Sequence, residues 1–184
     1  MNRPLFCVFD TALGVCGIAW RESEAKDGPP VLVFLQLPCE SEKQTEETIA
    51  AGAKAEKARR IPEHIAVIVE TVRLHVKGIV QDFSGIAIDL DSLGVFSRQV
   101  LAACRDIKAG STLSYGDVAR IIHRPGAARA VGHALARNPV PLIIPCHRVL
   151  AANGGMGGFS APGGVAVKAR LLALEGVFLK GGKG

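Results

Sequence analysis

Long apolar runs and paired cysteine motifs are missing from this sequence of 184 residues. No run approaches the roughly 20 consecutive apolar residues of a membrane-spanning helix, so we expect no membrane association. Residues 5–9 are apolar, but Asp10 interrupts them before a signal-peptide core forms, and we therefore expect no export. The five cysteines contain no Cys-x-x-Cys pair and are odd in number, which argues against a disulfide scaffold and favours a reducing compartment.

Acidic residues are scarce in the second half of the chain. Residues 1–91 carry 10 Lys/Arg and 14 Asp/Glu, whereas residues 92–184 carry 12 and 3, so the net charge changes from 10 − 14 = −4 to 12 − 3 = +9. Excess positive charge favours an anionic partner, and nucleic acid is the commonest large anion, although a merely basic surface stays open. We predict two domains, residues 1–91 and residues 92–184, because the charge changes there.

The first half has the pattern of a small sheet followed by helices. Apolar segments at residues 5–10, 15–20 and 31–37 are separated by turn residues and predict an antiparallel meander. A polar stretch at residues 42–60 and apolar residues at helical spacing from residue 65 to residue 76 predict two helices after the sheet.

The second half is predicted to be mainly helical. Phe96, Val100, Cys104 and Ile107 form one apolar stripe on a helix that ends before Gly110. A capping box at residues 114–117 begins a short helix, residues 123–126 break it, and an alanine-rich helix follows at residues 127–136. This pattern fits a DNA-binding helix-turn-helix or an ordinary helical hairpin, and the basic charge favours the first.

A cysteine and a histidine are adjacent in the sequence Pro-Cys-His-Arg-Val at residues 145–149. A neighbouring His and Arg can lower the pKa of a thiol and make it a nucleophile, although most Cys-His pairs are structural. We expect an extended segment here, in which Cys146 and His147 point to opposite faces. A bridging water or a bend in the chain would then be needed to pass a proton between them.

Four motifs together resemble the methylated-DNA-protein-cysteine methyltransferase (alkylguanine-DNA alkyltransferase) family. They are SYGDVA at residues 114–119, RAVG at 129–132, Asn-Pro at 138–139 and PCHRV at 145–149. The resemblance covers about residues 96–176, whereas residues 1–91 resemble the family's N-terminal domain only in layout. It implies an α+β fold with a small N-terminal sheet and helices, laid out as in ribonuclease H, before a mainly helical domain with a helix-turn-helix and the active-site cysteine.

The resemblance implies direct repair of double-stranded DNA. The protein would flip an alkylated guanine out of the duplex and transfer the alkyl group from the sixth-position oxygen to Cys146, once per molecule. The fourth-position oxygen of thymine and the preferred alkyl size stay open. The resemblance further implies a monomer in the cytoplasm or nucleus that requires no cofactor.

Site residues follow from the same resemblance. Cys146 would be the acceptor, His147 the base that acts through water, and Glu175 the carboxylate that orients His147. Asn138 would be the hinge before the cysteine segment, Tyr115 would crowd the phosphate, and Arg129 would fill the space left by the flipped base. The guanine pocket would include Leu135, Pro141, Val149, Phe159 and Ser160. DNA contacts would come from Thr112, Ser114, Ala127, Ala128, Arg129 and Gly132.

Other features of the sequence complete this interpretation. The glycine-rich loop at residues 153–160 lacks the ending of a phosphate-binding loop and would form a wall of the guanine pocket. Phe159 stands where many family members have Tyr, so a hydroxyl that could protonate the leaving guanine is absent. The last helix begins at Gly163-Gly164, carries Lys168 and Arg170 off its apolar stripe, and is interpreted as scaffold.

Metal binding and other functions are the alternatives. We predict no metal site, because the spacing of Cys7, Cys16, Cys39, His64 and His75 matches no ligand motif. A non-catalytic protein that recognises alkylated DNA would replace the acceptor cysteine, commonly with Trp, so Cys146 argues against it. An alkylation-responsive regulator would need an activation domain that the sequence does not show, and a cysteine hydrolase is the most distant alternative.

Overall fold

The computed structural model describes residues 3–23 and 28–178. These residues form two compact units that divide between Leu90 and Asp91, one residue before the predicted boundary. Residues 1–2 and 24–27 of the first predicted domain and residues 179–184 of the second lie outside the described residues. That the two units are independent folding domains stays a prediction.

The first unit is built on a four-stranded sheet with the order β3-β2-β1-β4. β1 pairs antiparallel with β2, and β2 pairs antiparallel with β3, so the predicted meander is present. The two-residue strand β4 pairs parallel with β1 and was too short to be recognised in the sequence. The strands are β1 (Leu5–Thr11), β2 (Gly14–Arg21), β3 (Val31–Gln36) and β4 (Glu56–Lys57).

Two helices belong to this unit, α1 (Glu42–Ala53) and α2 (Glu63–Val76). The Ser41 side chain accepts a hydrogen bond from the Gln44 backbone N–H and caps the start of α1. α1 ends well before residue 60, because Lys54 takes the left-handed conformation with φ of 50°. Ile49 packs so closely on β2 that a Cβ at Gly17 would lie 2.8 Å from its side chain. Glycine at position 17 therefore allows the helix to lie against the sheet.

The second unit is mainly helical, and with the N-terminal sheet it confirms the predicted α+β class. A two-stranded parallel sheet joins the segment before α4 to the segment after the cysteine turn. The elements are α3 (Val95–Arg105), β5 (Leu113–Ser114), α4 (Tyr115–Ile121), α5 (Ala128–Leu135), the short 3-10 helix α6 (Cys146–Arg148), β6 (Val149–Leu150) and α7 (Gly164–Leu174). No helix among the described residues is long and apolar enough to span a bilayer.

The helix-turn-helix is formed by α4 and α5. The Ser114 hydroxyl accepts from the Asp117 backbone N–H at 3.1 Å, and the Asp117 carboxylate accepts from the Ser114 backbone N–H at 2.8 Å, which completes the predicted capping box. Left-handed backbone conformations at His123 and Gly126 then turn the chain before α5. The second helix of the pair is one residue shorter at each end than predicted.

Candidate active site

The segment between α5 and the cysteine is held by Asn138. Its Nδ2 donates to the carbonyl oxygen of Ile144 at 2.8 Å, and its Oδ1 accepts from the backbone N–H of Val140 at 3.1 Å. Its side chain also hydrogen-bonds to Cys146. Leu142 has a φ of 74°, a costly conformation for a residue with a side chain. The contacts of Asn138 on both sides of Leu142 keep this strained backbone in place and fix the position of the cysteine.

Cys146, His147 and Arg148 form one turn of 3-10 helix, so the predicted extended conformation is wrong. The turn closes because the Arg148 backbone N–H donates to the carbonyl of Pro145 at 2.9 Å. Consecutive side chains lie about 120° apart in a helix of three residues per turn. Cys146 can therefore face one side while His147 and Arg148 both reach Glu175.

Glu175 is the centre of a buried ionic network. Its Oε1 lies 3.0 Å from Nε2 of His147, and its two carboxylate oxygens accept from Nε and Nη2 of Arg148 at 2.8 and 2.7 Å. Nη1 of Arg148 also donates to the carbonyl of Ile107. All three side chains are buried. The bidentate contact of the Arg148 guanidinium keeps Glu175 ionised, because a carboxylate that accepts two hydrogen bonds from a guanidinium strongly favours its charged form.

This network also sets the tautomer of His147. An ionised carboxylate only accepts hydrogen bonds, so Nε2 of the neutral imidazole must carry the proton. Nδ1 then carries the lone pair and is the nitrogen able to take up a proton. The sequence interpretation placed Glu175 with His147, and the structure brings them together. It considered Arg148 only as a charge that could lower the pKa of the thiol, not as a partner of Glu175. The available signal was that only three acidic residues follow residue 91, so that a buried arginine there has few possible partners.

Cys146 opens into a cavity of about 690 Å³ between α4, α5 and the glycine-rich loop. The thiol residue is only 8% exposed. Predicted site residues that line the cavity are Tyr115, Ala128, Arg129, Gly132, Leu135, Phe159 and Ser160. Gly158 lines the cavity as part of the glycine-rich loop, which was predicted to form a wall. The lining residues that were not predicted are Gly116, Ala136, Ala151 and Ala152. A cavity of this size holds a small organic ligand and presents it to the sulfur.

Tyr115 forms one wall of the cavity and packs closely against glycines. A Cβ at Gly157 would lie 2.9 Å from its hydroxyl oxygen, and a Cβ at Gly132 would lie 3.7 Å from its ring. Gly157 also has a φ of 62°, which favours glycine for a second reason. The glycines therefore let α5 and the glycine-rich loop approach the ring from two sides.

Burial raises the pKa of the Cys146 thiol above its ordinary value. The hydrogen bond from Asn138, the charge of Lys168 and the backbone N–H groups of Cys146 and His147 act in the opposite direction but do not overcome it. The shift of the pKa toward neutrality that a neighbouring His and Arg can cause is therefore absent from the resting site. The thiol is protonated at neutral pH, and a base must remove its proton when it reacts.

Lys168 is fully buried, which the helical pattern of the sequence did not reveal. Its Nζ donates to the carbonyl oxygens of Val149 at 2.6 Å, Met156 at 2.5 Å and Gly158 at 3.4 Å. Burial lowers the pKa of Lys168 to about 8, while the nearby thiol groups raise it. The sequence placed Lys168 off the apolar stripe and did not predict its burial, because side-chain periodicity carries no information on backbone carbonyls supplied by a distant loop. The interpretation of α7 as scaffold stays a prediction.

Comparison with known proteins decides the family. Residues 95–177 match the profile described as 6-O-methylguanine DNA methyltransferase, DNA binding domain. Mycobacterium tuberculosis O6-methylguanine methyltransferase has a solved structure that matches 94% of this chain and 92% of its own, with 30% identity and a TM-score of 0.72. This chain belongs to the methylated-DNA-protein-cysteine methyltransferase family. The resemblance carried by the four motifs is therefore confirmed.

One further relative and one further solved structure define the extent of the match. The methylated-DNA-protein-cysteine methyltransferase of Methanothermobacter thermautotrophicus is 40% identical over 120 residues, which are 65% of this chain and 66% of that protein. The sequence match thus spans just under two thirds of that relative. Mycobacterium tuberculosis OGT in complex with DNA matches 93% of this chain and 92% of its own, with 29% identity and a TM-score of 0.70.

Arg129 and Ser160 line the cavity, whereas several other site residues expected from the family do not. Arg129 is exposed at the first turn of α5, and the Ser160 hydroxyl donates to the carbonyl of Ala136 at 2.8 Å. Val149 is buried and offers its carbonyl to Lys168. The residues that do not line the cavity are Thr112, Ser114, Ala127, Asn138, Pro141 and Val149.

Metal ligands are not assembled in the described part of the chain. Within residues 3–23 and 28–178, no group of three His, Cys, Asp or Glu side chains could hold a metal ion. Burial raises the pKa of Cys7 and Cys16 to about 11, so these thiols are weak ligands and poor nucleophiles at neutral pH. Their burial agrees with the packing role expected for them.

Proposed function

We propose that this protein repairs alkylated guanine in double-stranded DNA by transferring the alkyl group to Cys146. The observation that carries the proposal is the opening of Cys146 into the cavity, with His147, Glu175 and Arg148 linked behind it. Membership of the family and the DNA complex of a relative support the same reaction. After the transfer, Cys146 is a thioether that the protein does not convert back to a thiol. Each molecule therefore acts once.

The proposed transfer begins with the loss of the proton from the Cys146 thiol. His147 takes the thiol proton through a water molecule, and Glu175 stabilises the imidazolium that results. The sulfur then attacks the alkyl carbon, the new S–C bond forms, and the bond between that carbon and the guanine oxygen breaks. The electron pair of the broken bond stays on guanine, which takes up one proton from solvent, while the imidazolium of His147 releases one, so no net proton is gained or lost. The reaction needs only groups of this chain and water, so we propose that no cofactor or metal is required.

Access to the thiol requires a flipped base. A guanine in the stack cannot reach a sulfur that is only 8% exposed at the bottom of a cavity. α5 carries small residues that let its backbone approach DNA closely, and Arg129 is exposed where α5 meets the cavity. We propose that α5 enters a groove, that Arg129 fills the gap in the duplex, and that Tyr115 crowds the phosphate of the rotated nucleotide.

Alkylated guanine is a lesion of cellular DNA, so we propose that the protein works in the compartment that holds this DNA. We propose that it acts as a monomer in the cytoplasm, or in the nucleus of a cell that has one. Guanine is the proposed substrate base, and alkylated thymine is a second substrate to be tested with the same assay.

The deciding experiment is the intact mass of the protein after incubation with duplex DNA that carries one O6-methylguanine. We expect a gain of one methyl group per molecule, which saturates at one and maps to the peptide that contains Cys146. Identical DNA without the lesion is the control. Tight lesion binding with an unchanged mass would instead identify a protein that only recognises damage, and the proposal would be wrong.

Arg129→Ala is expected to slow transfer by roughly tenfold or more, because the flipped state loses the side chain that replaces the base. The measurement is the single-turnover rate at saturating protein, on the same lesion in duplex and in single-stranded DNA. The single strand needs no filled gap, so its rate should change little.

Arg137→Ala is the matched control, since it removes one exposed positive charge just beyond α5 and outside the cavity lining. It should weaken DNA binding to a similar degree without slowing transfer once the DNA is bound. Equal slowing by both substitutions, or equal slowing on both kinds of DNA, would show that Arg129 acts only through its charge.

A further inference from the structure

Asn153 precedes two glycines in an exposed turn beside the candidate active site. Its Oδ1 accepts a hydrogen bond from the backbone N–H of Gly155 at 3.0 Å, and both Asn153 and Gly154 are exposed. Asparagine often bonds its own backbone in this way at turns. It is also a chemically labile residue, because the next backbone nitrogen can attack its side-chain amide, and a following glycine has no Cβ to hinder that attack. The turn therefore joins a labile residue to the neighbour that protects it least.

The geometry of the turn keeps the amide of Asn153 open to attack. The hydrogen bond to Gly155 reaches past Gly154, so the side chain is folded back along the peptide that contains the Gly154 nitrogen. A Cβ at Gly154 would meet no atom within 4 Å, whereas a Cβ at Gly155 would lie 3.0 Å from Oδ1 of Asn153. Glycine at both positions thus leaves room around the amide. The Gly155 N–H also donates to the oxygen on which negative charge develops when a nucleophile adds to the amide carbon.

One hydrogen bond of the turn opposes the attack. The backbone N–H of Gly154 donates to the carbonyl of Ala151 at 2.9 Å, and this bond must open before the nitrogen can react. An exposed turn opens locally at a small cost in free energy. We therefore expect this bond to slow the attack without preventing it.

We propose that Asn153 is a site of spontaneous modification, where the side-chain amide is lost and aspartate or isoaspartate takes its place beside the cavity. The conversion itself stands without the proposed function. Its effect on repair rests on the proposed function, because it concerns the binding of DNA and the transfer to Cys146.

The conversion needs only water as a co-reactant. The Gly154 nitrogen bonds to the amide carbon of Asn153, the bond from that carbon to Nδ2 breaks, and Nδ2 leaves as ammonia with the proton that the Gly154 nitrogen gives up. Water then adds to one of the two carbonyls of the cyclic imide and opens the ring. Opening at one carbonyl gives aspartate, and opening at the other gives isoaspartate. No atom is oxidised or reduced.

The product would change a wall of the cavity. Ala151 and Ala152 line the cavity, and Ala151 is joined to the turn by its own N–H, which donates to the carbonyl of Gly155 at 2.9 Å. Aspartate adds one negative charge beside the opening that DNA would cover, where it repels phosphates. Isoaspartate adds this charge and also one carbon atom to the main chain before Gly154, which disrupts the turn. We expect the charge to weaken DNA binding and the longer main chain to slow transfer as well.

The first test is peptide mass after the protein has been stored folded, under reducing conditions, at pH 7 and pH 9. We expect the peptide with Asn153 to exchange one NH group for one oxygen, faster at pH 9, because the attacking nitrogen must lose its proton. Asn138 is the internal control, since Pro139 has no N–H, and its peptide should keep its mass. The urea-unfolded chain shows that the conversion is detectable. Retention of the amide at Asn153 in the folded protein, or equal loss at Asn138, would overturn the proposal.

The second test compares the products of one stored sample. The extra negative charge lets ion exchange separate converted from unconverted protein, so the unconverted fraction controls for all other damage. With limiting duplex DNA that carries O6-methylguanine, we expect the aspartate form to transfer about threefold more slowly. The isoaspartate form should be about tenfold slower or more, since a small displacement in a site wall has effects of this size.

Two variants separate the charge from the change in the main chain. Asn153→Asp has the charge with a normal main chain and should match the aspartate form. Asn153→Ser keeps an acceptor for the Gly155 N–H but has no amide, so storage should leave it at the rate of its own fresh sample. Equal transfer by converted and unconverted fractions would overturn the effect on repair. If fresh wild type transfers no methyl group but Asn153 is converted as expected, the proposed function fails and the modification site survives.

Discussion

Cys146→Ala is expected to abolish methyl transfer to the protein while leaving its affinity for duplex DNA unchanged. The substitution removes the only sulfur that lines the cavity among the described residues and changes little else, because Ala fits the space of Cys without new contacts. DNA contacts in our proposal come from α4, α5 and exposed basic groups, none of which includes the thiol. The loss should reach the detection limit of a mass assay, more than about a thousandfold in rate.

Cys39→Ser is the control for this prediction. Cys39 is the one cysteine of the five that is not buried, so it is the thiol most open to solvent. Its side chain contacts Gln36 and Thr48 in the first unit, far in sequence from the proposed machinery. Cys39→Ser should therefore transfer at the wild-type rate. Normal transfer by Cys146→Ala, or loss of transfer by Cys39→Ser, would move the acceptor to another residue.

Glu175→Ala is expected to lower both the stability of the protein and its rate of transfer. The carboxylate is buried with His147 and Arg148, so its removal leaves the guanidinium of Arg148 buried with only the carbonyl of Ile107. Removing one partner of a buried ion pair costs roughly 3–5 kcal/mol in the free energy of unfolding. Urea denaturation followed by circular dichroism measures this loss directly.

The double variant Arg148→Met with Glu175→Leu separates stability from chemistry. It replaces the ion pair with apolar side chains of similar size, which is often close to neutral for stability. We expect most of the lost stability to return, while transfer stays slow because His147 has lost the carboxylate that orients it. Recovery of both stability and transfer would show that Glu175 serves only the fold.

Much of the second unit could be predicted from local patterns. The capping box at Ser114, the break at residues 123–126 and the alanine-rich α5 all depend on interactions between residues a few positions apart. The conformation at Cys146 could not be predicted in this way. Its 3-10 turn is embedded in a segment held by Asn138 and by the contacts of His147 and Arg148 with Glu175, 28 and 27 residues away.

The sequence by itself determined the family, the candidate for the acceptor cysteine and the α+β order of elements, because motifs and periodicity are properties of neighbouring residues. The tertiary structure decided which charges meet. Arg148 and Lys168 read as ordinary basic residues, yet one holds the carboxylate behind His147 and the other lies buried beside the carbonyls of the glycine-rich loop. Burial and partners at such distances set the energy of a charge, and a sequence pattern does not record them.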